Sequence, residues 1–258
     1  MIYETIAYQV EDNVAVVTLN RPDVMNAFNT LLRAEIIHAV KLAEKEARVL
    51  VITGAGRAFC SGQDLGDGGN ASNIDLERVL RDEYVPMIRA IVDCKIPTIA
   101  AVNGPAAGAG ANLALACDVV IAAESAVFVQ AFTRIGLIPD AGGTFFLPRQ
   151  VGTPRAMGAA LFAEPIPAKK AADWGMIWEA VANDDFNAHW QARARHLADG
   201  PTAAYKLVKQ ALSAAQSNDL EAQLLLEAQL QGQAGKTRDF TEGVMAFLEK
   251  RPASYEGR

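Results

Sequence analysis

Thiols and imidazoles are scarce in this chain, and positive charge falls short of negative. Its 258 residues include three cysteines, Cys60, Cys94 and Cys117, and three histidines. An odd number of thiols with no CxxC spacing gives neither a disulfide framework nor a zinc cluster a basis, and no metal is expected. Lysine and arginine total 24 against 30 aspartates and glutamates, for a net charge of −6. With a pI near 5.2 and no basic block, binding of nucleic acid or of an anionic membrane through charge is not expected. No uncharged apolar run reaches the ~18 residues of a membrane span. The opening MIYETIAYQVEDN is acidic where a secretion signal is basic and then apolar. A cytoplasmic, reducing location is the expectation.

What the chain does have is apolar content, 51% of its residues. At this length that is enough for one large α/β domain, alone or with a small appendage. Residues 3–10 and the β-branched run VAVVTL read as a hairpin around Glu11-Asp12-Asn13. Leu32, Ile36, Val40 and Ala43 repeat at helical spacing after Asn29, a ready cap. VLVIT, TIAAV and DVVIAA are short and uniformly apolar, as strands covered on both faces are. A helix is expected over 75–94, kinked or divided by Pro86. Strands alternating with helices predict βαβ units. Beyond residue 184 only helices are read: Asn218 with Glu221 resembles a capping box ahead of Leu220, Leu224 and Ala228, and Phe240, Val244, Phe247 and Leu248 mark a last amphipathic helix. The parse is an α/β body over residues 1–195 and a helical region over residues 196–258. So apolar a tail must pack on its own body or on another subunit.

Three glycine-rich turns are the candidate chemistry. GAGRAFCSGQDL follows the VLVIT strand, and NGPAAGAGAN follows TIAAV and opens into a helix. Small residues let a ligand approach the backbone, and a helix start leaves amide N–H groups without partners. Two such turns side by side could aim two N–H groups at one oxygen, the construction of an oxyanion hole; equally, the glycines could serve only tight helix–strand packing. GLIPDAGGTFFL sets one carboxylate, Asp140, between an apolar run and a Gly-Gly turn. Asp140 reads either as a helix cap or as an acid/base group whose apolar surroundings raise its pKa. His38, His189 and His196 have no nucleophile or ligand pattern around them, Ser61 lacks the G-x-S-x-G elbow, and Asp64 with Asp67 lacks the ligand count of a calcium loop. The Gly/Asn/Ser-rich stretch 66–73 is expected to be mobile without ligand.

Taken in order, RAFCSGQDL, IAAVNGPAAGAGANLALACDV and IGLIPDAGGTFFLPRQVG resemble the crotonase (enoyl-CoA hydratase/isomerase) superfamily, and the likeness runs from NRPDVMNAFN to EGVMAFLEKRPASYEGR. The resemblance implies a spiral of ββα units with a C-terminal α-helical trimerisation region, assembled as a homotrimer or dimer of trimers. It also implies an acyl-CoA substrate, with no cofactor beyond the coenzyme A that substrate carries. Matched by position, the two oxyanion N–H groups fall on Gln63 and Ala109, where side-chain identity should matter little. Ala58, Ser61, Gln63, Asp64 and Leu65 match the loop that contacts CoA; Phe247 and Lys250 match positions on the last helix that reach a neighbouring subunit's nucleotide. The hydratases' two water-activating glutamates are replaced here by Asn112 and Phe132, which cannot act as bases, and Phe132 should keep the site dry. Asp140 remains as the single carboxylate, as in double-bond isomerases. GLIPDAGGT, ADWGMIWEAV and ARHLADGPT look most like the members that convert ring-epoxidised phenylacetyl-CoA to an oxepin-CoA, related members shifting 3-enoyl-CoA to 2-enoyl-CoA. An aspartate-nucleophile hydrolase or dehalogenase, a hydratase, and a non-enzymatic CoA-binding scaffold are the alternatives.

Overall fold

The computed structural model describes residues 2–66 and 75–258. Strands β1 (Ile6–Glu11) and β2 (Val14–Leu19) form the expected antiparallel hairpin. β2 then pairs in parallel with β3 (Val49–Gly54), which leads through β4 (Thr98–Val102) and β6 (Val119–Ala123) to β9 (Glu179–Val181). A small second sheet holds β5 (Ala106–Ala107), β7 (Val127–Val129) and β8 (Ile166–Pro167).

The central parallel strands β3, β4 and β6 are buried on both faces, as their apolar runs require. Leu50, Ile52, Ala100, Val102, Val120 and Ala122 face one core, shared with α1 (Thr30–Glu46) and α4 (Ala109–Leu115). Their neighbours Val49, Val51, Ile99, Ala101, Ile121 and Ala123 face a second core capped by Phe186, Trp190, Ala194 and Ala198 of α8 (Phe186–Ala198). Each valine, leucine, isoleucine or phenylalanine among them contributes about 1.5–3 kcal/mol when fully buried. With both faces apolar, hydrophobic pattern alone pins the register weakly, and polar groups at the strand ends do it instead. Asp118 Oδ2 accepts from the Thr98 amide at 2.7 Å and from Thr98 Oγ1 at 2.9 Å, tying β4 to β6. At the other end of β4, Asn103 Oδ1 accepts from Gly54 N and its Nδ2 donates to Gly56 O, which draws the first glycine turn onto the second.

α1 starts where expected, with Asn29 Oδ1 accepting from Leu32 N at 2.8 Å. The helix expected over 75–94 is divided at Pro86: α2 (Leu76–Val79), a π-helical turn Leu80–Tyr84, then α3 (Val85–Val92). Proline has no N–H for the i→i−4 bond, and the wider turn just before it absorbs that loss. Of the stretch 66–73, all but Gly66 lies outside the described residues. α5 (Gly143–Val151), α6 (Thr153–Phe162) and α7 (Ala168–Asp173) lead to the last strand.

After α8, the chain continues only as α9 (Thr202–Ala214), α10 (Leu220–Ala234) and α11 (Arg238–Glu249). Lys209 of α9 anchors this region to the body, with Nζ 2.7 Å from Asp118 Oδ2 and 3.0 Å from Ile96 O. The cap of α10 is one residue later than the sequence pattern predicted: Asp219 Oδ1 accepts from Ala222 N, and Asn218 instead reaches Gln223. A carboxylate at that position also complements the helix dipole, which an asparagine does not. Leu212, Leu220, Leu224, Leu225, Phe247 and Leu248 of these helices are exposed on the single chain. No helix among the described residues is long and apolar enough to cross a membrane.

Candidate active site

The first two glycine turns are stitched together by main chain. Phe59 N donates to Pro105 O at 3.0 Å, and Ala107 N donates to Cys60 O at 2.9 Å. On the other side of the first turn, Phe28 N reaches Gly62 O at 2.7 Å and Asp64 N reaches Phe28 O at 2.9 Å. These bonds use the groups on either side of Gln63 and leave its own amide free. Among the described residues, neither the Gln63 nor the Ala109 amide donates to any acceptor. Ala109 is the first residue of α4, where an N–H has no partner within the helix.

Gly62 and Gly108, the residues just before these donors, have φ of +91° and +53°, which side chains adopt only under strain. A Cβ on Gly62 would lie 2.9 Å from Ala107 O and 3.5 Å from Ala109 N, so the first turn lies directly against the second donor. Both readings of the glycines therefore hold, at different positions: Gly110 is filled by Cys60 and serves packing, while Gly62 and Gly108 shape the donor pair. Gln63 and Ala109 line one cavity of ≈ 580 Å³, together with Phe132, Tyr84 and Asp140.

Asp140 is not a helix cap. α5 begins at Gly143 with Gly142 at its N-cap, and no side chain caps it. Asp140 instead lines the cavity, with Oδ1 buried and without a hydrogen-bond partner among the described residues. Burial alone raises its pKa from 3.8 to about 6, because the charged form loses hydration that nothing replaces. Phe132 is buried, and its ring packs on Gly108 beside the Ala109 donor. Asn112 is fully buried one helical turn beyond Ala109, and its Nδ2 donates to the Asp140 carbonyl at 2.8 Å.

The side chain of Gln63, expected to matter little, proves to be engaged. Its Oε1 accepts from Arg33 Nη1 at 3.0 Å and from the Tyr84 hydroxyl at 2.7 Å, while Nε2 donates to Asp64 O. Arg33 only donates, so the atom it meets is the amide oxygen, and the Tyr84 proton is committed to that bond. Arg33 is 3% exposed, stacks 4.6 Å from the Tyr84 ring centroid and pairs with Glu83 at 2.6 Å. Burial acts to raise the Glu83 pKa, but the Arg33 bond together with Thr30 and Arg78 outweighs it and holds the carboxyl below its usual range. Arg33, Glu83 and Tyr84 gave no motif signal; a charged residue directly after Leu32, at the edge of the apolar stripe of α1, was the one available hint.

Of the residues matched to CoA contacts, Ser61, Gln63 and Leu65 line the cavity. Ala58 is buried behind it, its carbonyl accepting from Asn26 Nδ2, and Asp64 is paired with Arg21 at 2.9 Å. Phe247 and Lys250, at the end of α11, are not among the residues lining the cavity, and Phe247 is 82% exposed. No group of three His, Cys, Asp or Glu side chains suited to a metal is gathered among the described residues.

The family model for enoyl-CoA hydratase/isomerase matches residues 9–258. The chain belongs to that family. A protein of Rhodobacter capsulatus named "probable enoyl-CoA hydratase" is 62% identical over 258 residues, covering all of both chains. The 1,2-epoxyphenylacetyl-CoA isomerase of Escherichia coli is 46% identical over 260 residues, covering 99% of each. The crystal structure of an enoyl-CoA hydratase from Bacillus anthracis superimposes with a TM-score of 0.92 at 32% identity, over 99% of this chain and 100% of that one. The fold is thus the crotonase-like α/β spiral, and the chain is an enzyme of the enoyl-CoA hydratase/isomerase family. Its relatives carry names for two different reactions, hydration and isomerisation.

Proposed function

We propose that this enzyme is an acyl-CoA isomerase using Asp140 as its one proton carrier. The observation that carries this reading is Asp140, whose Oδ1 is buried without a partner among the described residues, lining the same cavity as two amides that donate to nothing among those residues. The Gln63 and Ala109 amides would receive the thioester oxygen, whose negative charge grows as the α-proton leaves; one such donor is worth about 100- to 1,000-fold in rate. Asp140 takes the proton from the carbon next to the thioester and returns it two carbons further along the conjugated system. The proton count closes without water, and no cofactor is needed. A pKa of about 6 suits a group that must both accept and release a proton near neutral pH.

The 46% identity to the Escherichia coli isomerase supports 1,2-epoxyphenylacetyl-CoA, converted to its oxepin isomer, as the substrate, with 3-enoyl-CoA to 2-enoyl-CoA as a related activity. Hydration is favoured by the name of the 62% identical relative, but Asn112 and Phe132 stand where the family's water-activating glutamates would be, and Glu83 is engaged by Arg33. The exposed leucines and Phe247 of the C-terminal helices support assembly with copies of this chain, as a trimer or dimer of trimers.

The test follows the double-bond absorbance of a 3-enoyl-CoA and a 2-enoyl-CoA with wild type and Asp140→Asn. Expected is isomerisation that falls about 10²- to 10⁴-fold in the variant, with negligible hydration by either protein. Near-wild-type isomerisation by Asp140→Asn, or fast hydration that survives the substitution, would overturn the reading. A covalent acyl-enzyme trapped on Asp140 in intact-mass measurements would replace it with nucleophilic catalysis.

A further inference from the structure

We propose that Asn112 is a positioning residue: its side-chain amide, oriented by Gln130, sets the Asp140 carboxylate against the two free amides. The proposal rests on Asp140 being the proton carrier. Asn112 lies three residues after Ala109 on α4, so the helix that presents one free amide also carries the group that grips the opposing loop. Its Nδ2 donates to Asp140 O at 2.8 Å, and its Oδ1 accepts from Gln130 Nε2 at 2.8 Å. Both amide orientations follow from chemistry. A main-chain carbonyl only accepts, so Asn112 must turn its nitrogen to Asp140; its oxygen then faces Gln130, which must present nitrogen. The other end of that glutamine, Oε1, is buried and has no partner among the described residues. Keeping such an atom has a cost, one that Gln130 does not need merely to fill space.

The gripped loop would not hold its shape unaided. Ala141 and Gly142 both take positive φ, +47° and +84°, immediately after Asp140. The Asp140 carbonyl also accepts from Gly143 N at 2.8 Å, closing a tight turn with the carboxylate at its corner. A Cβ added at Gly143 would overlap the Asn112 amide, so loop and side chain are in direct contact. Gln130 immediately precedes the 3-10 turn Ala131–Ile135 that bears Phe132. One buried pair of amides therefore joins the oxyanion helix, the apolar wall and the carboxylate loop. At the position where a hydratase carries an acid, this chain has a group that cannot move a proton but can fix the one that does.

The charged and titratable groups that line the cavity with Asp140 are Arg33 from α1, Asp75 and Arg78 at the cap and end of α2, Glu83 and Tyr84 from the π-helical turn, and Arg134 from the 3-10 turn. Arg33 and Glu83 are paired, and burial pushes the Tyr84 hydroxyl above its ordinary range. Burial raises the Asp140 pKa to about 6, while the Arg33 bond holds Glu83 below its usual range, so the acid limb of kcat/KM for wild type is assigned to Asp140.

The experiment measures kcat, KM and the pH profile of 3-enoyl-CoA isomerisation for Asn112→Ala, Gln130→Met, Asp140→Asn and Asn112→Ala/Asp140→Asn. Misplacing a reacting group by about 1 Å can cost about 100-fold, so Asn112→Ala should lose about 100-fold in kcat with KM little changed. Its acid limb should move below that of wild type, because a loosened loop admits water to the carboxylate. Gln130→Met should shift both in the same directions by less. The double variant should be no slower than Asp140→Asn alone, since Asn112 acts only through Asp140. Unchanged kcat and acid limb in Asn112→Ala would overturn the proposal, as would a further loss in the double variant; if Asn112→Ala does not unfold cooperatively, Gln130→Met decides on the same two readouts. An active Asp140→Asn enzyme would overturn the isomerase mechanism itself and this proposal with it.

Discussion

The turn carrying Gln63 and the loop carrying Asp140 face one cavity but are held by different means. The first is knitted by backbone: Phe28, Cys60, Gly62 and Pro105 exchange main-chain bonds that any sequence able to take these φ values could make. The second is held by a buried side chain, the Asn112 amide, and its Asp140 Oδ1 is left buried with no partner among the described residues. In the proposed mechanism the backbone donors would serve any acyl-CoA thioester, and the carboxylate, together with the residues at 112 and 132, would select the reaction. Substitutions in the first region should therefore act through shape, and in the second through the chemical identity of one or two groups.

The largest effect that would sharpen this contrast, Asp140→Asn aside, is expected at Gly62. Its φ of +91° disfavours a side chain, and a Cβ there would press on Ala107 O at 2.9 Å. Gly62→Ala should displace the Gln63 amide and lower kcat about 100- to 1,000-fold, while leaving the pH of the acid limb where it is. Steady-state kinetics across pH 5–8 would check this. A shift of the limb would show that the two regions are coupled in a way the backbone bonds do not suggest.

The difference also governs what was legible beforehand. The twofold-buried strands, the N-cap at Asn29 and the break at Pro86 follow from local rules of period, capping and missing N–H groups, and each is found where expected. Both free amides lay in glycine turns whose small residues announce close approach. The role of Asn112 was hidden, because its partner is 28 residues away and is a carbonyl, which leaves no mark in sequence. The Arg33–Glu83–Gln63–Tyr84 network was hidden for the same reason: it joins α1, the first turn and the π-helical turn only once the spiral closes. The cap of α10 was off by one residue, within the ambiguity of two adjacent capping residues.

A smaller effect tests whether the backbone region is as independent of side chains as its main-chain bonds imply. Gln63→Leu keeps the peptide amide but removes the acceptor that Arg33 and Tyr84 share, leaving a buried guanidinium N–H and a buried hydroxyl without a partner. A loss of about tenfold in kcat is expected, by analogy with other misplaced groups. Gln63→Glu retains both acceptor bonds and should stay within a few-fold of wild type. If leucine and glutamate behave alike in kcat, the clamp is incidental and the turn stands on its main chain alone.

The last effect concerns stability rather than rate. The Asp140 pKa is raised from 3.8 to about 6 by burial, so the folded protein holds this proton more tightly than the unfolded chain does. Between about pH 3.8 and 6 the folded state binds the extra proton, and the stability it confers is lost as pH rises through that window. Above it Asp140 carries a charge whose buried Oδ1 has no partner among the described residues. The shift corresponds to about 3 kcal/mol at most, less where water reaches the carboxylate. Asp140→Asn should therefore unfold at a temperature several degrees higher than wild type at pH 8, with the gap closing toward pH 5. Thermal melts at the two pH values give the sign. A variant less stable than wild type at pH 8 would mean that the carboxylate is stabilised by a partner, and the opposition between a satisfied backbone region and an unsatisfied acid loop would fail at its most specific point.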